Sequence, residues 1–389
     1  MSESLLKEAE EFQHELIAWR RQLHQIPEIG LKLPQTVAFV TAKLDEMGIS
    51  YYVMEESSNV VATLGSGNKC FLLRSDMDAL PVPEESEVDF ASSNGCMHGC
   101  GHDMHAAVLL GAARLLKKHE AELNGVVKML FQSGEETFNG AKAAIAGGVL
   151  ENPHVDAAFA MHVFAGVEKN VIFYDSNPMA AVYGFKITLT GHGGHGSQPE
   201  NCIDPINAGV QVYLALQSLI ARECPPYEEA ALTIGQFSAG NAANVIPERA
   251  VLQGTLRTFK KSVNQLLIRR INEITSAVAA AYRCQCEIEV LSDVPSVVCD
   301  DALSEEYIAS IHEAAPEVKT HKQLHLMGSE DFACISDLVP ASYFVIGAGV
   351  DDKSKWLNQH NPKILFNEDT LPTAAAIYAK VAMDWLKNH

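Results

Sequence analysis

The sequence predicts a two-domain α/β protein: a mostly parallel-sheet α/β domain, discontinuous in the chain, with an inserted α+β unit of ferredoxin-like βαββαβ order. Three observations predict it. Up to about residue 178, short apolar runs alternate with amphipathic stretches, the pattern of strands covered by helices. From 181 to 291 the order becomes strand, helix, strand, strand, helix, strand. After about residue 293 the first pattern resumes, so residues 1–178 and 293–389 are expected to form one domain and 179–292 the insert. A length of 389 residues also favours two domains at roughly 100–200 residues each.

The opening MSESLLKEAEEF is acidic with helical periodicity, and it lacks the basic region and apolar core of a secretory signal; a cytoplasmic location is expected. Pro34 to Met47 reads as a helix, with proline at its first turn and Gly48 closing it. FLLRSDMD (71–78), VVKMLFQ (126–132) and AAFAMHV (157–163) are apolar on consecutive positions, as in strands covered on both faces, and a helix over Asp103–Lys118 separates the first two. Polar residues gather where these runs end, the edge at which α/β active sites form. The insert reads AVYGFKITLT, a helix from Asp204 with Pro205 in its first turn, ALTIGQF, AVLQGTLRTF, a helix over 262–282 and CEIEVL. In its second helix Leu267, Ile271, Ile274 and Val278 line one face that a single sheet can cover. ASYFVIGAG (341–349) and a final helix after Thr370 complete the first domain.

Hydrophobic residues at 47% and charged residues at 20% are ordinary for a soluble globular chain, and no apolar run nears the roughly 18 residues of a membrane span. Lys+Arg 29 against Asp+Glu 49 gives 29 − 49 = −20, a charge that repels phosphate backbones and anionic lipid. The expected partner is therefore a small-molecule substrate or another protein, not nucleic acid or membrane. Nine cysteines at irregular spacing argue against a disulfide scaffold; Cys70, Cys202, Cys224, Cys284, Cys286, Cys299 and Cys334 read as small core hydrophobes.

The chemistry concentrates in GCMHGCGHDMH at 95–105. A thiolate and an imidazole separated by one glycine, Cys100-Gly-His102, can reach one cation; the other reading is a Cys-rich turn without metal. FQSGEET places Glu135 and Glu136 just past an apolar run. In extended backbone adjacent side chains point opposite ways, so one can coordinate a metal while the other serves as general base; the alternative is a solvated acidic turn. His162 ends the next run, where a lone His is ordinarily a hydrogen-bonded core residue. With Asp76 and Asp78 at the end of FLLRSDMD, however, four segments deliver metal-type groups to what should be one edge.

RRQLHQIPEIG (20–30), LLRSDMDALP (72–81), GCMHGCGHDMHAA (95–107), FQSGEET (131–137), GHGGHGSQPE (191–200), NVIPERAVLQGTLRTF (244–259), MGSEDFA (327–333) and HNPKILFNED (360–369) run in order through nearly the whole chain. Together they resemble the amidohydrolase branch of the aminoacylase/carboxypeptidase-G metallopeptidase family, the branch of hippurate hydrolases and N-acyl-amino-acid deacylases. The resemblance implies two divalent metal ions, zinc or manganese with cobalt or nickel admitted, held by Cys100, His102, Glu136, His162 and His360. It also implies Glu135 as general base toward a metal-bridged water, and Asp78 orienting a metal-bound imidazole. Peptidase members have His where this chain has Asp76, so whether Asp76 touches a metal is left open. FQSGEE departs from the branch's Gln-Pro-Ala-Glu-Glu at Ser133 and Gly134, with both carboxylates kept. His98 and His105 are expected to support the centre or the fold.

The resemblance further implies that His195 helps stabilise the oxyanion, that Asn244 and Arg257 bind substrate, with Arg257 suited to an α-carboxylate, and that the insert forms a homodimer in which His195 acts on its own or the neighbouring site. Ser329, Glu330 and Asp331 are read as helix-capping residues, with a supporting role for Glu330 at the metal site as the alternative. The function so implied is cleavage of N-acyl amino acids. A dipeptidase or aminopeptidase using the same centre, a non-catalytic metal-stabilised binding protein and a structural zinc site are the alternatives. RRQLHQIPEIG, with His24, Pro27 and Glu28, receives no chemical account at this level beyond packing at the end of the first helix.

Overall fold

The computed structural model describes residues 2–389, with side chains from Leu5 onward. The chain opens on helices α1 (Ser2–Glu11), α2 (Gln13–His24) and α3 (Pro34–Glu46), the last ended by Gly48 at φ 64°. Strands β1 (Ser50–Val53), β2 (Val60–Gly65) and β3 (Cys70–Asp76) follow, then α4 (His102–Lys118), β4 (Val126–Gln132), α5 (Gly140–Ala146), β5 (Ala157–Glu168) and β6 (Val171–Tyr174). Next come β7 (Ala181–Thr190), β8 (Gly194–His195), α6 (Pro205–Arg222), β9 (Ala230–Ala239), β10 (Val245–Ile246), β11 (Arg249–Thr258), α7 (Lys261–Ala281) and β12 (Gln285–Val294). The chain ends with α8 (Asp301–Ala314), β13 (Lys319–Lys322), α9 (Ala333–Ser336), β14 (Ala341–Gly349) and α10 (Leu371–Asn388). It divides into two compact units, one of residues 1–178, 297–325 and 331–389, the other of 179–296 and 326–330.

The first unit is built on an eight-stranded sheet of order β1-β2-β4-β3-β5-β14-β6-β13. Its centre is parallel, β3 pairing with β4 and β5, and β5 with β14. Every residue of β3, β4 and β14 is buried, which is why these strands read as unbroken apolar runs. Helices α4 and α10 contribute Leu109, Leu116, Ile377 and Trp385 to the same core, each such side chain worth about 1.5–3 kcal/mol when fully buried. The register Asp76↔Gln132 sets the ends of β3 and β4 side by side. Strand β5 runs on past the expected Val163 to Glu168 because β14 continues to pair with it, Gly349 opposite Glu168.

The second unit carries an antiparallel sheet of order β12-β7-β11-β9 with α6 and α7, the succession and order of a ferredoxin-like unit. Phe185, Ile187, Leu216, Leu252, Leu267 and Ile271 form its core. Asp204 caps α6 by accepting from the N–H of Ile206 and Asn207. The short β8–β10 pair was not anticipated. The expected fold class is the one observed: α/β, with a large parallel-rich sheet and a separate antiparallel sheet.

Candidate metal centre

The parallel strand ends and the start of α4 build the centre. Gly101 stands at φ 88° between Cys100 and His102, and an added Cβ there would lie 2.6 Å from Val163 Cγ2, so only glycine permits the turn. The His102 Nδ1–H donates to the Asp78 carbonyl oxygen at 2.9 Å. That bond leaves the lone pair on Nε2, which is buried, has no hydrogen-bond partner, and lies 3.8 Å from Asp76 Oδ1, 3.9 Å from Glu136 Oε1 and 4.0 Å from Glu135 Oε2. His162 follows the same logic: Nδ1–H donates to the Val163 carbonyl at 2.8 Å, and Nε2 stands 3.4 Å from Cys100 Sγ.

His360 joins from a loop near the C-terminus. Its backbone, at φ 69°, donates N–H to the Gly99 carbonyl at 2.9 Å. The preceding Gln359 Nε2 donates to the carbonyls of Cys100 (3.2 Å) and Val163 (2.9 Å), tying this loop to the segments of Cys100 and His162. His360 Nε2 reaches 3.3 Å from Glu136 Oε1. Donor atoms thus gather in groups whose members lie within 4.8 Å of one another: Cys100, His102 and His162; Cys100, Glu136 and His360; His102, Glu135 and Glu136. The first two share Cys100, and between them they contain all five ligands expected from the sequence.

The electrostatics ask for cations. Burial, then the Glu136 carboxylate, push the Cys100 thiol up to about 12. Burial alone would lower His102, but the Asp76 carboxylate and the Asp78 hydrogen bond hold it well above the usual imidazole range. Burial raises Asp78. An orphaned buried imidazole nitrogen facing carboxylates and a thiol fits divalent metal, and the mixed S, N and O donor set fits a zinc-like or manganese-like ion.

Several roles differ from the sequence reading. Asp78 meets His102 Nδ1 through its carbonyl at 2.9 Å, with its carboxylate Oδ1 3.6 Å from the same nitrogen, and the carboxylate also accepts the backbone N–H of Glu135 (3.0 Å) and Glu136 (3.2 Å). Those two glutamates occupy a turn after Gly134 (φ 74°), not extended chain, so both converge on His102 instead of facing opposite ways. Asp76 spends one oxygen on Arg74 Nη1 (2.7 Å) and the other on His105 Nδ1 (2.5 Å). His105 Nε2 accepts the Val163 N–H at 2.8 Å, so His105 carries its proton on Nδ1 and offers no free lone pair. Both residues therefore support the centre. Asp331 does not cap the helix that follows it, since α9 begins without a side-chain cap; its carboxylate instead binds Arg74 (3.0 Å), Gln132 (2.7 Å) and the N–H of Ala141 in the first turn of α5 (2.8 Å).

Sequence reasoning missed Arg74, although a cation within a buried apolar strand is the signal that should have found it. It also missed Gln359, for which the sequence carries no signal. His98 is 2% exposed, and burial lowers its pKa to about 3.

The remaining expected residues lie in the second unit. His195, exposed on β8 and paired with Val245, accepts the Ser197 N–H on Nδ1 at 3.2 Å with Ser197 Oγ at 2.8 Å, which places the ring proton on Nε2. The Asn244 carbonyl accepts the Gly196 N–H at 2.8 Å. Arg257 is half-buried, burial lowers its pKa, and it forms no ion pair among the described residues.

With this geometry in place the comparisons with known proteins are informative. The profile described as Peptidase family M20/M25/M40 matches residues 72–384. The chain is 35% identical over 379 residues to "IAA-amino acid hydrolase ILR1-like 4" of Arabidopsis thaliana, covering 95% of this chain and 86% of that protein. It is 33% identical over 379 residues to "N-acetylcysteine deacetylase" of Bacillus subtilis, covering 96% and 97%. Among solved structures, a Bacillus subtilis protein described as a dinuclear metal-binding peptidase from the M20 family superposes with a TM-score of 0.82 at 30% identity, covering 98% of this chain and 100% of that one.

Proposed function

The chain belongs to peptidase family M20/M25/M40 and is a hydrolase of amide bonds, and we propose that it cleaves the acyl group from N-acyl amino acids. The observation that carries this reading is the convergence of Cys100, His102, Glu136, His162 and His360 beside a second carboxylate, Glu135. The relatives named as an IAA-amino acid hydrolase and an N-acetylcysteine deacetylase support the substrate class.

In this reading Cys100, His102, Glu136, His162 and His360 would hold the two cations, with zinc or manganese the ions that suit the donors. When bound, the cations supply Lewis acidity, polarising an amide carbonyl and making water easier to deprotonate. The residues then divide the remaining work. Glu135, 7% exposed and fixed by its N–H to Asp78, takes a proton from the attacking water and returns it to the leaving nitrogen. His195, whose Nδ1 accepts from Ser197, donates Nε2–H to the carbonyl oxygen as negative charge develops. Arg257 grips the α-carboxylate, consistent with a guanidinium that no carboxylate among the described residues engages, and Asn244 contacts the substrate separately. Exposed Ile206, Val210, Tyr213 and Leu214 on α6 support homodimer formation through the second unit.

The test is release of free amino acid from hippurate, N-acetyl amino acids and unblocked dipeptides. Chelated protein is reconstituted with zinc or manganese, beside a Glu135→Ala control. Metal-dependent cleavage of blocked substrates, lost in the control, is the expected result. Cleavage of dipeptides alone would replace this reading with a peptidase.

A further inference from the structure

The segment RRQLHQIPE at 20–28 has no part in the chemistry above, yet it carries buried charge: Arg20 and His24 are each 4% exposed and Asp103 is 0% exposed. His24 Nδ1 lies 2.8 Å from Asp103 Oδ2 and its Nε2 2.9 Å from Glu84 Oε1. Ionised carboxylates only accept, so both ring nitrogens must donate and His24 is an imidazolium. Burial opposes that charge, but the Asp103 carboxylate overrides it and raises the His24 pKa. Arg20 Nε lies 2.7 Å from the same Asp103 oxygen, and its Nη1 3.2 Å from Glu368. Arg21 completes the set with bonds of 2.7 and 3.0 Å to Glu368, and both guanidiniums stack on Phe90.

Three cations thus balance three carboxylates that come from different parts of the first unit: Glu84 in the segment after β3, Asp103 in the first turn of α4, and Glu368 just before α10. Asp103 directly follows His102, and His102 is joined to Cys100 by the single left-handed Gly101. A shift of the Asp103 carboxylate therefore moves the start of the helix that presents His102 and, through Gly101, the Cys100 just ahead of it. The neighbouring contacts leave little else to hold it, because Asp103 Oδ1 has no hydrogen-bond partner and His98, whose ring centroid is 6.2 Å from that of His24, uses neither ring nitrogen.

We propose that His24 is a positioning residue: with Arg20 it grips Asp103, and through the first turn of α4 it fixes where His102 and Cys100 present their ligand atoms. The inference rests on the reading of Cys100 and His102 as metal ligands. Glu28, in the same motif, acts elsewhere, accepting the N–H of Gln35 and Thr36 at the start of α3.

The experiment compares full-length wild type, His24→Gln and Glu84→Gln after chelation. Each is titrated with Co²⁺ while the thiolate-to-cobalt charge-transfer band and the far-ultraviolet circular dichroism are followed, and the thermal midpoint of the metal-free protein is measured alongside. His24→Gln is expected to keep the wild-type circular dichroism, bind cobalt roughly 10–100-fold more weakly and show an altered band. Glu84→Gln, which leaves the Asp103 contact in place, should weaken binding a few-fold. A folded His24→Gln with wild-type affinity and band overturns the proposal, even where its thermal midpoint is lower, because that pattern belongs to a packing role. If His24→Gln does not fold, unchanged affinity in Glu84→Gln overturns it. A wild type without any thiolate band would refute the ligand reading itself, and this inference with it.

Discussion

Replacing Gly101 by Ala should damage fold and metal site together, and a control glycine separates the causes. Gly101 adopts φ 88°, a left-handed conformation that costs an L-residue about 1–2 kcal/mol. Its new Cβ would also sit 2.6 Å from Val163 Cγ2 and 3.1 Å from Phe366 Cζ, inside a buried core where overpacking costs about 1–3 kcal/mol. The expected destabilisation is therefore about 2–5 kcal/mol. Gly95 has a similar φ of 84° with nothing within 4 Å of an added Cβ, so Gly95→Ala should show the conformational part alone, about 1–2 kcal/mol. Urea unfolding of the two variants and wild type, all chelated so that bound metal does not mask the difference, measures both values. Because Val163 follows the proposed ligand His162, the clash also pushes on that segment, and affinity for added metal should fall by about tenfold or more. A Gly101→Ala protein no less stable than Gly95→Ala, with metal affinity intact, would refute the argument.

Other expectations follow from single contacts. Asp78→Asn keeps one acceptor but turns an amide N–H₂ toward the Glu135 or Glu136 N–H, so kcat should drop about tenfold or more while metal content, measured by elemental analysis, is retained. Burial would raise the Glu84 pKa, but the His24 hydrogen bond and others draw it down from 4.5 to about 2. A depressed carboxyl stabilises the fold above its unfolded value and loses that contribution as pH falls through the folded one, so stability should decline from pH 4.5 toward about 2, and Glu84→Gln should flatten that part of the urea-midpoint profile. Lys128 is 2% exposed and donates to the carbonyls of Val149, Glu151 and Pro153 at 2.6–2.9 Å; Lys128→Met strands all three and should cost about 2–4 kcal/mol in the same assay.

What the sequence disclosed depended on whether a residue's signal was local. Strands β4, β7 and β14 were readable to the residue because burial on one or both faces writes itself into consecutive side chains. Glu135, Glu136 and His162 could be nominated because they stand at the ends of apolar runs, and Cys100 and His102 because a single glycine separates them in a segment dense in metal-type groups. His360 could not, since nothing near it is periodic; only the resemblance named it. The contacts of the Asp78 carboxylate could not be read at all, because it is satisfied by backbone N–H groups, donors that every residue has and that no sequence pattern marks, and Asp331 meets side chains almost 200 or more residues away in the sequence. Buried charge was the neglected clue: Arg20, Arg74 and Lys128 all sit at 2–4% exposure, and each proved to be the hub of a network.

These networks explain how a cluster of like-charged donors stays assembled. The side chains that converge at the centre bring negative charge, and left to themselves they would spread apart. Each is instead tied by an atom that does not face the cations: His102 by Nδ1 to the Asp78 carbonyl, His162 by Nδ1 to the Val163 carbonyl, Glu135 and Glu136 by their N–H to Asp78, and His360 by its N–H to Gly99. Behind that layer the compensating positive charge is built into the protein, with Arg74 against Asp76 and Asp331 and with Arg20 and His24 against Asp103. The repulsion is thus met by main-chain geometry in front and by fixed cations behind, and a divalent ion enters donors already oriented. Binding metal to such a frame spends little of its free energy on ordering side chains, so a change one layer away, at His105 or His24, reaches the metal by loosening the frame while every proposed ligand remains in the sequence.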